Sequence, residues 1–321
     1  MQTRTIYHSI SFFALALVTV SLKSVATDGF VVLSLCLVMT VGLSHGALDY
    51  LKGHAVLKTY AEPPLSYFYL VYIAFGCGIL LAWYMSPALL IATFLLVAAY
   101  HFGKEDASFA SRNSKGVHNL LYVLKGGVVI AAPMAFRPLQ TEEIFSALNV
   151  SALNTIDQEV FVYLLACSFV AHVCLGARCL RTSTVLVADF IAICVLNWSL
   201  HPLVAFSLYF CFLHSIRHSL DIIGEMEGRT TVRVMRFVRQ ALPLTLITGV
   251  VFTLVLFLLM SRFSLDVSAN KVIFLGLAAL TFPHVALEYL FESRVVGGHD
   301  RAQLNVEPSI LHPPRAAKVS E

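Results

Sequence analysis

The chain has 321 residues, of which 58% are hydrophobic and only 13% are charged, and its mean hydropathy is +0.79. A soluble domain carries about 25% charged residues, so this composition excludes an ordinary water-soluble protein. The formal net charge of +3 is too small to indicate binding to nucleic acid. These values predict an all-α fold, a polytopic transmembrane helical bundle.

Ten apolar segments are each about long enough to form a membrane-spanning helix. They cover residues 6–26, 30–51, 65–86, 88–110, 117–138, 158–178, 183–200, 202–224, 237–261 and 271–292. The first segment also fits a cleaved signal peptide, although its cleavage site is poor. Residues 139–157 are polar and predict a surface loop with a short interfacial helix. Residues 1–292 therefore form the expected transmembrane domain, and the Pro-rich, charged residues 293–321 predict a disordered cytoplasmic tail.

Lysine and arginine concentrate in the loops that follow the even-numbered segments. Lys52 and Lys58 follow the second segment, and Arg229, Arg233 and Arg236 follow the eighth. Positively charged loops of membrane proteins stay in the cytoplasm. Even-numbered segments are therefore expected to end there, with both termini cytoplasmic, in a multi-pass protein of the inner (plasma) membrane of the cell.

Histidines recur at one depth in four of the even-numbered segments. His45, His101, His214 and His284 each lie roughly 18–23 Å along their helices. His218 follows His214 by four residues and shares its helix face. Because ionisable groups inside a bilayer are costly, they indicate function. A ligand common to these imidazoles would explain why they share one layer.

An acidic residue follows each histidine site by about one helical turn. These residues are Asp49, Glu105, Asp221 and Glu288. A metal-bound histidine usually donates its other N–H to a carboxylate, which fixes the ring orientation. We therefore expect the four acids to orient the histidines or to lie near a substrate. The alternative is a set of solvated charges at the cytoplasmic helix ends.

The residue types favour a metal centre held by His45, His101, His214 and His218. His284 is either a fifth ligand or a neighbour that shapes the site, while His172 has no acid on its face and is not expected to bind metal. Four neutral nitrogens without cysteine suit Fe(II), Zn(II) or Cu. Four histidines on iron leave two cis positions open, which suits oxygen chemistry. No catalytic residue beyond the metal site is expected.

The motifs around these histidines resemble those of the Brp/Blh family, membrane-integral β-carotene 15,15'-dioxygenases associated with microbial rhodopsins. The resemblance runs from about the second to the tenth segment. It implies that residues 1–292 are a catalytic domain that cleaves the central double bond of β-carotene with O₂ into two all-trans-retinal. It also implies non-haem Fe(2+) on the four histidines named above and suggests retinal hand-over to a rhodopsin. It rests on His45-Gly46-Ala47-Leu48-Asp49, His101-Phe102-Gly103-Lys104-Glu105-Asp106, His214-Ser215-Ile216-Arg217-His218 and Pro283-His284.

Three other functions use similar residues. An intramembrane metal-ion or proton transporter would use the same histidines as a relay, but a relay should spread its groups along the membrane normal. A b-type haem carrier would need histidine pairs on facing helices. A di-iron desaturase would need about eight histidines, more than the membrane segments provide.

Overall fold

The computed structural model describes residues 3–21, 28–44, 46–60, 63–108, 117–150, 156–177 and 179–296. Over these ranges the chain is an all-helical bundle without a strand. Its helices are α1 (Thr3–Ser21), α2 (Asp28–Leu37), α3 (Asp49–Leu57), α4 (Leu65–Met85), α5 (Pro87–Glu105), α6 (Val117–Gly126), α7 (Val128–Phe136), α8 (Pro138–Ala147), α9 (Gln158–Gly176), α10 (Leu180–Ser199), α11 (Pro202–Leu208), α12 (Ile216–Glu225), α13 (Thr230–Met260) and α14 (Leu265–Phe291).

Nine of the ten predicted segments coincide with helices that are long and apolar enough to cross a membrane, counted over the described residues. The first predicted segment forms α1, which is helical but is not one of the nine. It packs against α10 through buried Phe12 and Ala16. The polytopic helical bundle expected from composition is confirmed.

The polar stretch 139–157 is more deeply packed than a surface loop. Its first part, residues 139–147, belongs to α8, and Ile144 and Phe145 of that helix are buried in the core. Residues 151–155 lie outside the described residues, as does the predicted tail from residue 297 onward.

Burial separates a central span from an outer wall. In the span that runs from Pro202 to Glu225, 78% of the most apolar window is buried, whereas the values are 0% for α4 and 6% for α13. The span that carries His214 and His218 is therefore the centre of the bundle. The helices α4 and α13 present their side chains to lipid.

Two spans contain π-helical segments next to the histidine motifs. Val38–Gly42 follows α2, and Tyr209–Ser215 joins α11 to α12. The two segments contact each other, because the Ser215 hydroxyl donates to the Gly42 carbonyl oxygen at 3.2 Å. A Cβ atom on Gly42 would lie 2.7 Å from the ring of Phe210, so only glycine permits this approach. Such interruptions of α-helix are frequent at functional sites.

Candidate metal centre and lipid-facing cavity

Four histidines from three spans, of which His101, His214 and His284 are buried and His218 is partly buried, cluster at the centre of the bundle. The ring centroid of His101 lies 5.1 Å from that of His214 and 5.0 Å from that of His284. The His284 ring in turn lies 6.3 Å from that of His218. Two imidazoles bound to one ion through nitrogen at about 2.1 Å have centroids roughly 4.5–6.5 Å apart, according to the angle between them. These three ring pairs fall within that range, but over the described residues the group whose ligand atoms all lie within 4.8 Å of one another is Asp49, His284 and Glu288.

Three of these rings have a carboxylate at Nδ1. His214 Nδ1 donates to Asp106 Oδ1 at 2.9 Å, and His284 Nδ1 contacts both oxygens of Asp49 at 2.8 and 2.9 Å. His218 Nδ1 lies 3.3 Å from Glu105 Oε2. A carboxylate at Nδ1 fixes the tautomer and makes Nε2 the nitrogen that would bind a metal.

Two of the predicted carboxylates contact a histidine on another helix. Asp49, four residues after His45, contacts His284 of α14. Glu105, four residues after His101, contacts His218 of α12. The sequence predicts that these two acids orient histidines, but it does not identify which histidine each one contacts.

The other two predicted acids have different partners. Asp221 accepts a hydrogen bond from the Ser108 hydroxyl at 3.2 Å, and Glu288 forms an ion pair with Lys52. Asp49, His284 and Glu288 also offer three ligand atoms that all lie within 4.8 Å of one another. Glu288 thus lies beside the cluster, but its carboxylate is already paired with the Lys52 ammonium group.

Asp106 contacts His214 in the cluster, and the sequence analysis did not single it out. Its signal was its place in the same motif, directly after Glu105. Its carboxylate is surrounded by donors, since Lys125 Nζ lies 4.0 Å from Oδ2. Arg217 donates to the Asp106 backbone oxygen at 3.0 Å and to Asp189 Oδ2 at 2.8 Å. These two cations offset the two buried carboxylates, which would otherwise be costly in a membrane interior.

Two further histidines considered in the sequence analysis are His45 and His172. His45 lies outside the described residues, although Gly46 and Ala47, which follow it, line the cavity described next. His172 is fully buried in α9, where Nδ1 contacts the Ser168 carbonyl oxygen at 2.8 Å and the ring packs on Phe190.

An apolar cavity of about 430 Å³ adjoins the histidines. His101, His214 and His284 form part of its wall, and aliphatic and aromatic side chains form most of the rest. Its outer wall comes from α4 and α13, where Ile73 and Ile247 are 63% and 60% exposed. The cavity therefore reaches the lipid-facing surface, and an apolar molecule could enter it from the bilayer.

Comparison with known proteins identifies the family. The family model described as beta-carotene 15,15'-dioxygenase matches residues 36–292. The chain belongs to the β-carotene 15,15'-dioxygenase family. It is 29% identical over 262 residues to the beta-carotene 15,15'-dioxygenase of uncultured marine bacterium 66A03, covering 80% of this chain and 93% of that protein. It is 26% identical over 313 residues to the probable beta-carotene 15,15'-dioxygenase Blh of Halobacterium salinarum, covering 87% and 88%. No solved structure matches the chain.

The region matched by the dioxygenase family contains every residue of the cluster and of the cavity. Helix α1 precedes it, yet α1 supplies Ser9, whose hydroxyl accepts a hydrogen bond from Arg217 at 2.7 Å. Of the aromatic residues just before His214, Phe210 lines the cavity. Tyr209 instead points its hydroxyl at Asp106, at 2.7 Å.

Proposed function

We propose that this family member is a non-haem iron dioxygenase that cleaves β-carotene at its central 15,15' double bond with O₂ to give two molecules of all-trans-retinal. The observation that carries the proposal is a cluster of imidazoles, three of them oriented by carboxylates, in the wall of an apolar cavity open to lipid. The printed names of the two relatives support the substrate and the bond.

The residues present fit an Fe(2+) ion. Neutral imidazoles without thiolate suit iron, and the carboxylates at Nδ1 supply the orientation that metal-bound histidines usually have. His101, His214 and His218, together with His45, are the proposed ligands. Bound Fe(2+) would supply the activation of O₂ that its reaction with an unactivated double bond requires.

The protein itself would bind, orient and shield the polyene. The cavity volume of about 430 Å³ falls within the usual range for ligand sites, about 300–1,000 Å³, and its lining is mostly apolar. β-Carotene offers no polar group, so its position would be set by the shape of this wall. Placing one double bond beside the histidines would select the bond that is cut.

The net reaction needs no further co-reactant. The carbon–carbon double bond breaks, each of its two carbons gains one oxygen atom from O₂, and two aldehydes result. No proton and no external reductant is consumed. The cluster also argues against an intramembrane relay, because its rings gather around one point instead of forming a path across the bilayer.

Expression in a bacterium that accumulates β-carotene tests this function. We expect the orange colour to fade while retinal appears in the extract, and we expect His214→Ala to leave the cells orange at equal protein level. Colour loss without retinal, or full cleavage by His214→Ala, would contradict the proposal.

The cellular setting is part of the proposal. Lysine and arginine in the loops after even-numbered segments support an orientation with both termini in the cytoplasm, in a protein of the inner membrane. A reporter fused after Glu321 that is active only in the cytoplasm tests this orientation. Retinal hand-over to a microbial rhodopsin stays a prediction, to be tested by co-expression with an opsin.

A further inference from the structure

His214 is held by a tyrosine–aspartate pair. Tyr209 donates its hydroxyl to Asp106 Oδ2 at 2.7 Å, while Asp106 Oδ1 accepts from His214 Nδ1 at 2.9 Å. All three side chains are buried. One oxygen of the carboxylate thus holds the imidazole, and the tyrosine fixes the other.

His284 is held in the same way by residues from two other spans. Tyr72 of α4 donates to Asp49 Oδ2 at 2.8 Å, and both oxygens of Asp49 lie within 2.9 Å of His284 Nδ1. Tyr72 is itself tied to α14, because its hydroxyl lies 3.3 Å from the Leu280 carbonyl oxygen. The second array therefore repeats the order of groups found in the first.

The two arrays flank His101 almost symmetrically. The His101 ring lies 5.1 Å from His214 and 5.0 Å from His284, and all three rings line the same cavity. His284 also lies next to His218, at 6.3 Å. It is thus the ring that contacts both His101 and His218, two of the proposed ligands.

We propose that His284 is itself an iron ligand, equivalent to His214, and that Tyr72 is a positioning residue acting through Asp49. The inference rests on the proposed iron site and deepens it. With the four ligands already named, a fifth imidazole leaves one open position instead of two. One position is enough for O₂, because a hydrocarbon polyene has no atom that would bind a metal.

The geometry selects Nε2 of His284 as the binding nitrogen. Asp49, His284 and Glu288 offer ligand atoms within 4.8 Å of one another, but both Asp49 oxygens already lie at Nδ1 of His284, at 2.8 and 2.9 Å. An ion bound between these groups would also have to displace Lys52 from Glu288. Binding through Nε2 keeps all of these contacts and places the ion on the side of His284 away from Asp49.

The test is iron affinity, measured by competition with a chelator on the purified full-length protein in detergent. His284→Ala should lose iron as severely as His214→Ala. Asp49→Asn should weaken iron binding by about 10–100-fold, the usual effect of removing a carboxylate behind a metal-bound histidine. His172→Ala removes a buried histidine outside the cluster and is the matched control.

Added imidazole separates a ligand from a merely structural residue. Because His284 lines the cavity, free imidazole should restore iron affinity to His284→Gly, and it should do nothing for a packing defect in His172→Gly. If the His284 variants do not fold, Asp49→Asn and Tyr72→Phe decide, and both should bind iron more weakly than the wild type.

The possible results are distinct. Wild type that binds iron and forms retinal, together with His284 and Asp49 variants whose iron affinity equals that of His172→Ala, would overturn this inference and leave the proposed function standing. Wild type that retains no iron would overturn both.

Discussion

A close backbone approach between α5 and α6 lies two residues from His101, and it makes Gly103 a sharp probe of the site. A Cβ atom on Gly103 would lie 1.8 Å from the carbonyl oxygen of Tyr122 in α6. Gly126 of α6 meets α5 in the same way, because its Cβ would lie 1.9 Å from the Ala99 carbonyl oxygen. The obstruction is backbone on both sides, so no side-chain rotation can relieve it.

Gly103→Ala should therefore separate α5 from α6. The helices would have to move apart by about 1.2 Å for the new contact to reach 3.0 Å, the lower limit of real Cβ contacts. Overpacking of this kind costs about 1–3 kcal/mol of stability. The same movement would displace His101, Glu105 and Asp106 on α5 and at its end, and a shift of about 1 Å at a reacting site can cost about 100-fold in rate.

The assay combines thermal unfolding in detergent with the rate of retinal formation per folded protein. Gly78→Ala in α4 is the matched control, since nothing lies within 4 Å of the added methyl group. Alanine is favoured over glycine in a helix by up to about 1 kcal/mol, so this control should be at least as stable as the wild type. A Gly103→Ala protein with wild-type stability and rate would refute the reasoning.

Two further perturbations test the cavity and the buried charges. Thr248→Trp should fill the cavity and lower the rate of retinal formation at least about tenfold without changing the iron content. Leu258→Trp, on the exposed face of the same helix, is the control and should not lower the rate. Equal rates in both variants would show that the substrate binds elsewhere. Arg217→Ala leaves Asp189 buried without its ion pair and should cost about 3–5 kcal/mol of stability, measured by unfolding in detergent. Adding Asp189→Asn should recover part of that loss, and strictly additive effects would argue against the pair.

The sequence predicted the helices well because apolar length is a local pattern, and it placed at one depth three histidines, His101, His214 and His284, of which the His101 ring lies beside the other two. His45, the fourth member of that layer, lies outside the described residues. Apolar length defines each span, and a fixed rise per residue gives each histidine its depth. The same local geometry predicts that His214 and His218, four residues apart, lie on one face of their helix.

The acid partners could not be predicted because they depend on how the helices pack. Glu105 and Asp106 are consecutive, so they differ in direction by about 100° around the helix. One contacts His218 and the other His214. The π-helical segment Tyr209–Ser215 changes the direction of the partner helix at the same level, and sequence periodicity does not reveal that change.

The cavity lay beyond sequence analysis for a similar reason. Its inner wall comes from the histidine-bearing spans. Its outer wall comes from α4 and α13, which correspond to the third and ninth predicted segments and are apolar on nearly all sides. Nothing in their sequence distinguishes residues that face a cavity from residues that face lipid.

The iron content of the purified protein tests most directly whether imidazoles from separate helices hold a single ion. Elemental analysis of the wild type should find about one iron per chain. The His101 ring lies beside the rings of His214 and His284, so the His101→Ala variant should lose the iron while remaining folded. Wild type free of iron yet fully able to form retinal, or His101→Ala with its iron intact, would contradict the account.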